Sequence, residues 1–532
     1  MNQLTKSTEL QLNQQQLLVA NRALSWSVIT SVAPPLLLTV ALGLGLFLRL
    51  WQINALGYNS DEAVYAGQAA ALVGDAELKA FFPLFRAHPM LYQYLLALAF
   101  SDGVVDVVGR IVTALIGVAT IYITYLAGKT LYTPMTGAWA ALFIALMPYQ
   151  VIVTRQVLLD GPMTFCATVT LYLLARFGRT QRPIWLLATG AGMGLTFLTK
   201  ETGIIFLGAI YIFLALSPQV RVRIRDLLLS TGCMALVMAA YPLAPRLAGA
   251  GGSKTTGQYI IWQLFRRPNH DWTFYPTTVP FVIGPVLLVA AVLAVWWLRR
   301  RYTWREVLLF AWIAVPTVFF QLWPVKGFHY LLPIGIPIAI LGGYLLTIPQ
   351  VEPLLGRRRQ PLVASPLFHP LLALLIVVSL FWSSWQHIQI THADRVLAGA
   401  GGVPGGRELG AWVRTHTPAG AVFMTLGPSM ANLVQFYGDR KGYGLSVSPN
   451  PLHRNPSYEP IINPDYLLRT GEIHYIIWDS FSAGRSAFFE QKLFTYIDRY
   501  HGRVVHAQTV KAPAAGGAFT EKPIIIVYEV RP

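Results

Sequence analysis

The sequence predicts a polytopic α-helical membrane protein, with about eleven membrane-crossing helices followed by a small C-terminal α/β domain. Three observations predict it. Of the 532 residues, 54% are hydrophobic and 12% are charged, about half the charge of an ordinary soluble chain; the mean hydropathy is +0.49. Windows close to 20 residues long recur almost without charge, the length that crosses about 30 Å of hydrocarbon. After residue 390 the pattern changes to glycine-rich sequence and then to alternating strand and helix signals.

Residues 1–32 are polar and glutamine-rich and lack the order of a cleaved signal peptide. They read as a cytoplasmic tail, with the first span acting as an uncleaved signal. The membrane domain covers 33–390, with spans expected near 33–51, 108–128, 137–154, 161–176, 184–199, 203–217, 227–247, 279–298, 307–323, 330–348 and 367–387. One set of short connections holds Lys129, Arg176, Arg179, Arg182, Arg221, Arg223, Arg225, Arg299–Arg301, Arg305 and Arg357–Arg359. The opposite, longer connections hold Lys79, Arg86, Arg155, Lys200, Lys254, Arg266, Arg267 and Lys326. The positive-inside rule puts the first set in the cytoplasm and the C-terminus outside. The net charge of +17 is then a matter of topology and anionic headgroups, and no nucleic-acid partner is expected. Cys166 and Cys233 both lie in apolar segments and make neither a disulfide framework nor a metal site.

Two outer loops are long. The first, about 52–107, holds Asp61-Glu62 and the apolar stretch Met90–Phe100, which is too short to span. The second, about 248–278, mixes glycines with Trp262, Trp272 and Tyr275, aromatic residues of the kind that settle at a headgroup boundary. Residues 391–532 form a linker and an extracytoplasmic α/β domain. Strands are expected at Ala421–Leu426, Ile473–Asp479 and Ile524–Val530, and helices near Glu408–Thr415, Ser429–Tyr437 and Ser486–Tyr500. The chain has no internal repeat of the kind that marks many transporters.

With this topology Asp61-Glu62, Arg155 and Asp160, Lys200-Glu201, and Lys326 with His329 all fall on one side of the bilayer, opposite the basic loops. Each has a plain structural reading. Ser60 is an N-cap with two acids complementing the helix dipole, Arg155 snorkels, Asp160 starts a helix, Lys200-Glu201 is a surface ion pair, and Lys326 meets headgroups. Taken together they suit chemistry: several cations beside carboxylates fit a phosphate leaving group, a hydroxyl or amine nucleophile, and a carboxylate general base. Walker A, Rossmann, HExxH and GxSxG signatures are missing from the sequence, which withdraws support from nucleotide-driven transport and hydrolase chemistry.

Several motifs in one order carry a family resemblance across about residues 30–390. Asp61-Glu62 opens the first outer loop, His88-Pro89-Met90-Leu91-Tyr92 follows, and Arg110 begins the next span. Thr154-Arg155-Gln156-Val157-Leu158-Leu159-Asp160 forms a short turn, Lys200 follows a Gly-Met-Gly-Leu run, and His329-Tyr330-Leu331-Leu332-Pro333 precedes a late span. This pattern resembles the GT-C glycosyltransferases, and within them the dolichyl-phosphate-mannose–protein mannosyltransferase family and its bacterial relatives, including the aminoarabinose transferases. Met90 stands where the family has a second proline, and His88 where the aminoarabinose transferases tend to have lysine. The second departure leans away from lipid A as acceptor. The resemblance implies an inverting transfer of mannose or a similar hexose or pentose from a polyprenyl-phosphate donor to an acceptor hydroxyl. Asp61 is then the general base, with Glu62 and Asp160 positioning the substrates. Arg155, Lys200, Lys326, His329 and His88 are the candidates for the donor phosphate, and Tyr65, Trp272, Tyr275 and Tyr330 for the sugar and acceptor cavity. With this many cations no metal is expected to be required, a divalent ion being the other source of the same neutralisation. The acceptor is a protein, a glycan or a lipid, and the oligomeric state is left open. The competing class is a lipid-linked sugar flippase, which needs a polar route open to both faces.

Overall fold

The computed structural model describes residues 32–84, 88–101, 103–247, 259, 261–266, 268–299, 302–354, 367–389, 404–455, 458–513 and 519–532. The N-terminal tail, Arg86, Lys254, Arg267, Arg300, Arg301, Arg357–Arg359 and the glycines of 399–402 lie outside the described residues.

The chain is a multi-pass membrane protein. Among the described residues six helices are long and apolar enough to cross a bilayer: Val32–Leu50, Asp106–Leu131, Ile224–Ala244, Trp304–Leu322, Phe328–Ile348 and Phe368–Ile388. Two bent pairs, Pro134–Leu146 with Pro148–Thr154 and Phe274–Ile283 with Pro285–Leu298, bring the number to eight if each pair crosses once. The other predicted spans fall on Asp160–Thr180, Pro183–Thr199 and the shorter apolar stretch Glu201–Leu216. All eleven predicted segments are therefore helical, while six to eight meet the length and composition that crossing demands.

In chain order, the helices that build the site are α1 (Val32–Leu50), α2 (Ser60–Leu72), α3 (Ala76–Phe81), α4 (Leu91–Ala99), α5 (Asp106–Leu131), α6 (Pro134–Leu146), α7 (Pro148–Thr154), α8 (Asp160–Thr180) and α9 (Pro183–Thr199). The 59° bend between α6 and α7 falls where Pro148 cannot donate to the helix ladder and opens a new helix at its first position. The 96° bend before Pro285 falls on Gly284, whose φ of +98° is open to glycine without strain. α5 and α6 meet backbone to backbone: a side chain on Gly137 would begin 2.4 Å from the Tyr125 carbonyl. Residues 331–348 of the segment Phe328–Ile348 are buried in the bundle, whereas Ile224–Ala244 is 11% buried and presents the lipid-facing edge.

Residues 404–532 form a five-stranded sheet in the order β2-β1-β3-β5-β4, with β1 at Val422–Thr425, β2 at Lys441–Gly444, β3 at Tyr475–Asp479, β4 at Arg503–Pro513 and β5 at Phe519–Glu529. β1 pairs parallel with β2 and with β3, and β5 runs antiparallel to β3 and β4. The helices Gly406–His416 (here α10) and Pro428–Gly438 (α11) cover one face with Leu409, Val413, Met430, Leu433 and Val434. The helices Pro464–Arg469 (α12) and Ala487–Arg499 (α13) cover the other with Leu468, Leu493 and Ile497.

The two parts share a core. Tyr58, Ala63 and Ala66 of the first outer loop and α2 belong to the same buried cluster as Leu409, Phe423 and Met430 of the sheet domain. Polar contacts run along the same seam. Asn432 on α11 donates to the Ser60 hydroxyl at 2.9 Å, the Tyr58 amide donates to the Tyr437 hydroxyl at 2.8 Å, and Arg407 pairs with Asp106 at 2.6 Å.

Asp479, at the end of β3, is wholly buried; one carboxylate oxygen accepts from the Ser482 amide at 2.7 Å and the other has no partner. Burial pushes its carboxyl up to about 6. A raised folded-state value means the group favours folding below the unfolded value near 4, and that contribution is lost as pH rises through 6, an effect on the order of 2–3 kcal/mol. Opening free energies of the β3 amides, measured by hydrogen exchange on the full chain, are expected to be higher at pH 4.5 than at pH 7.5. Asp479→Asn is expected to flatten that difference.

Candidate active site

The site is built where the loop after α1, the α7–α8 turn and the α9 end converge. Asn59 caps α2, its side chain accepting from the amides of Asp61 at 2.9 Å and Glu62 at 3.0 Å. Glu62 closes the capping box by accepting from the Asn59 amide at 2.9 Å. The cap is thus Asn59, and Ser60, expected in that place, turns to Asn432 instead.

Glu62 and Arg110 form a buried, bidentate ion pair, with Nε to Oε1 at 2.8 Å and Nη2 to Oε2 at 2.7 Å. The remaining guanidinium N–H groups donate to the carbonyls of Ile53, Leu56 and Gly57, so all five are used. Glu62 also accepts from the Val157 amide at 3.0 Å, which ties α2 to the α7–α8 turn. Asn59 reinforces that tie by donating to the Gln156 side chain at 2.9 Å. Asp61, one residue before, has an exposed carboxylate that makes no hydrogen bond or ion pair with the described residues.

Asp160 is the first residue of α8 and is 2% exposed. The Lys200 ammonium reaches both of its oxygens, at 2.8 and 2.9 Å, and His329 Nε2 stands 3.5 Å from Oδ2. The Lys200 ammonium also lies over the Tyr330 ring, 4.8 Å from its centre. Beside this cluster His88 pairs with Glu201 at 2.7 Å, and the rings of Tyr65 and Tyr259 stand edge-on to the imidazole. Lys326, 5% exposed, donates to the Trp323 carbonyl at 3.2 Å and sits over the Trp272 ring at 5.4 Å; among the described residues no carboxylate pairs with it.

Asp61 lies within electrostatic reach of both halves of the molecule. Its charge acts on Tyr65 and His329 in the membrane half, and on Tyr458 and Arg485 in the sheet domain. Burial first, and then this carboxylate, push the Tyr458 phenol up to about 12.

Comparison with known proteins agrees with this architecture. The family model described as dolichyl-phosphate-mannose-protein mannosyltransferase matches residues 87–245. Undecaprenyl phosphate-alpha-4-amino-4-deoxy-L-arabinose arabinosyl transferase 1 of Pseudomonas fluorescens is 28% identical over 264 residues, which are 46% of this chain and 47% of that protein. The chain thus matches about half the length of this curated relative. The crystal structure of ArnT from Cupriavidus metallidurans in the apo state superposes with a TM-score of 0.64 at 13% identity, over 95% of this chain and 98% of that one. The oligosaccharyltransferase AglB from Archaeoglobus fulgidus, in complex with an inhibitory peptide and a dolichol-phosphate, superposes at 0.53 and 12% identity, over 93% and 74%.

The fold is that of the GT-C glycosyltransferases.

Within this GT-C fold the predicted residues separate. Asp61, Asp160, Lys200, His329 and Tyr330 come together, and His88 and Tyr65 lie alongside. Three of the predicted residues are held in contacts within the protein. Arg155 does not face the cluster; it donates to the carbonyls of Leu48 at 2.6 Å, Arg49 at 3.2 Å and Trp51 at 2.6 Å, satisfying the open end of α1. Glu62 is engaged by Arg110 and by the amides of Asn59 and Val157, contacts that fix the start of α2. Tyr275 is 3% exposed and its hydroxyl bridges the backbone of Gly327 at 3.2 Å, which shapes the loop carrying Lys326.

Sequence reasoning passed over Arg266, Tyr259, Tyr458 and Arg485. Arg266 was counted as a loop charge, yet its field reaches Tyr259, Tyr330 and Tyr458. Arg485 and Tyr458 lie some 400 residues beyond Asp61 in the sequence, and only the packing of the sheet domain brings them near. Among the described residues no group of three or more His, Cys, Asp or Glu is placed to hold a metal ion.

Removing one partner of the Glu62–Arg110 pair strands a buried charge. Arg110→Ala is expected to destabilise the protein by about 3–5 kcal/mol, seen as a lower thermal midpoint in detergent, whereas Asp61→Asn leaves that midpoint nearly unchanged.

Proposed function

We propose that the chain transfers a sugar from a polyprenyl-phosphate donor to an acceptor hydroxyl at the outer membrane face, by direct displacement with inversion. One observation carries the reading. Of the three carboxylates expected at the centre, Glu62 and Asp160 are engaged in buried ion pairs, while the Asp61 carboxylate is exposed, unpaired among the described residues, and within the field of His329 and Arg485.

The geometry divides the work. Asp61 takes the proton from the acceptor hydroxyl as its oxygen bonds to the anomeric carbon. The bond from that carbon to the phosphate oxygen breaks, and the electron pair leaves with polyprenyl phosphate. Lys326, which has no carboxylate partner among the described residues, and Arg266 are the first candidates to hold the departing phosphate. Lys200, fixed by Asp160 and flanked by His329, adds positive field, and Tyr330 and Tyr65 line the sugar side. Asp160 serves by holding Lys200 in place. Supporting this reading are the aminoarabinose transferase likeness in both sequence and fold, and a neighbouring ArnT structure bound to undecaprenyl phosphate, with a TM-score of 0.59 at 13% identity. The cytoplasmic N-terminus and outer active site follow from the loop charges and belong to the same proposal. So does independence of metal, since the cations present can neutralise the phosphate.

The test is a transfer assay in liposomes with a panel of polyprenyl-phosphate sugars, mannose first, and a membrane extract as acceptor. Released polyprenyl phosphate is followed by mass spectrometry. Asp61→Asn is expected to lower release by about 10²–10⁴-fold, and EDTA to leave wild-type release unchanged. Wild-type movement of the intact donor across the bilayer, without release of polyprenyl phosphate, would support the flippase reading instead.

A further inference from the structure

The strand ends of the sheet domain next to Arg485 lie within the field of Asp61. In the order β2-β1-β3, the helix after β1 (α11) lies on one face and the helix before β3 (α12) on the other. The connections therefore diverge between β1 and β3. In open α/β sheets such a switch point leaves a crevice outside the carboxyl ends of the strands, and ligands bind there. Its walls here are Gly427-Pro428, after β1, and Ser480–Arg485, after β3. The two walls touch: a side chain on Gly427 would begin 3.1 Å from the Ser482 hydroxyl.

Two further features meet at these strand ends. α11 starts at Gly427 with no side-chain cap, which leaves its first amides available to an acceptor group. Arg485 is exposed and stacks on the Phe481 ring at 4.0 Å, and its guanidinium makes no hydrogen bond or ion pair with the described residues. Arg485 lies within the field of both Asp479 and Asp61, and its own charge acts on His270, as does that of Lys326. The wall next to it is fastened to α2 itself through Asn432 and Ser60, one residue from Asp61.

We infer that this crevice seats the acceptor, that the acceptor is an anionic sugar, and that Arg485 binds its phosphate or carboxylate while the attacking hydroxyl faces Asp61. This rests on the transfer reaction proposed above. It gives the sheet domain a part in the reaction: the donor is held from the membrane side and the acceptor from the domain side, with the base between them. Arg485 is then a specificity residue, because a planar guanidinium rewards two-point binding of an anion and gives nothing comparable to a neutral sugar.

Two measurements on the full chain in nanodiscs separate this inference from the reaction it rests on. The first is saturation-transfer NMR with glucose 6-phosphate, glucuronate and methyl glucoside as probes. Both anions are expected to bind more strongly than the neutral sugar. Arg485→Met is expected to weaken their binding about tenfold or more, Arg485→Lys to restore part of it, and Asp61→Asn to leave it in place. Equal binding of all three sugars, or binding indifferent to Arg485→Met, overturns the anion seat whether or not transfer occurs. The second is the liposome assay with a dilution series of membrane extract as acceptor. Arg485→Met is expected to raise the apparent KM for acceptor about tenfold or more and to move the KM for donor less than twofold. A rise in donor KM of the same size assigns Arg485 to the departing phosphate and overturns the acceptor seat. Arg485-dependent binding of the anions by a wild-type protein that releases no polyprenyl phosphate overturns the transfer reaction and leaves the anion seat standing.

Discussion

The buried pair between Glu62 and Arg110 is the interaction on which the rest of the site depends. It joins α2, the stretch Ile53–Gly57, the start of α5 and the α7–α8 turn through one carboxylate and one guanidinium. A carboxylate taken out of water is costly unless every lone pair finds a donor. Here Glu62 accepts from Arg110, Asn59 and Val157, and Arg110 spends each of its N–H groups. The geometry of the α2 start is thereby fixed, and with it the direction in which Asp61 leaves the helix.

The same accounting sorts the remaining charges. Near a bilayer an ionisable group persists when it is paired, capped or used. Arg155 caps α1, Lys200 pairs with Asp160, and His88 pairs with Glu201. Asp61, Lys326 and Arg485 are not matched to an opposite charge by a hydrogen-bonded contact among the described residues. They lie on three separate parts of the chain: the loop after α1, the approach to the Phe328–Ile348 helix, and the sheet domain. A charge without an opposite partner is the kind that a substrate can still engage.

The sheet domain is more than an appendage to the helical bundle. Its α11 packs on α2, its Tyr437 and Arg407 grip Asp106 at the start of α5, and its apolar face completes a core begun by Tyr58 and Ala63. A domain that shares a core with α2 cannot shift without moving Asp61. That coupling gives the start of α2 a rigid support.

Much of this was legible in the sequence. Hydropathy placed each of the eleven helical segments, because a lipid-exposed backbone has little choice but to satisfy its hydrogen bonds within a helix. Alternating patterns placed β1 and β3 and the later part of β5. β2, Lys441–Gly444, carries two glycines in four residues, and β4 is an edge strand rich in polar residues, so neither reads as a strand by composition. The acidic pair at 61–62 and the cluster of Asp160, Lys200 and His329 were visible as charges that topology gathers on one side. What the sequence determined by itself was therefore the class of fold and which ionisable residues share a face, since both follow from the cost of placing polar groups in hydrocarbon. What only the tertiary structure decided was their partners: that Glu62 pairs with Arg110 and Arg155 with the end of α1, that Asp61 has no hydrogen-bonded partner among the described residues, and that Arg485 arrives from the far end of the chain. Pairing is a matter of distances between elements remote in sequence, and one chain without its coordinates carries no measure of them.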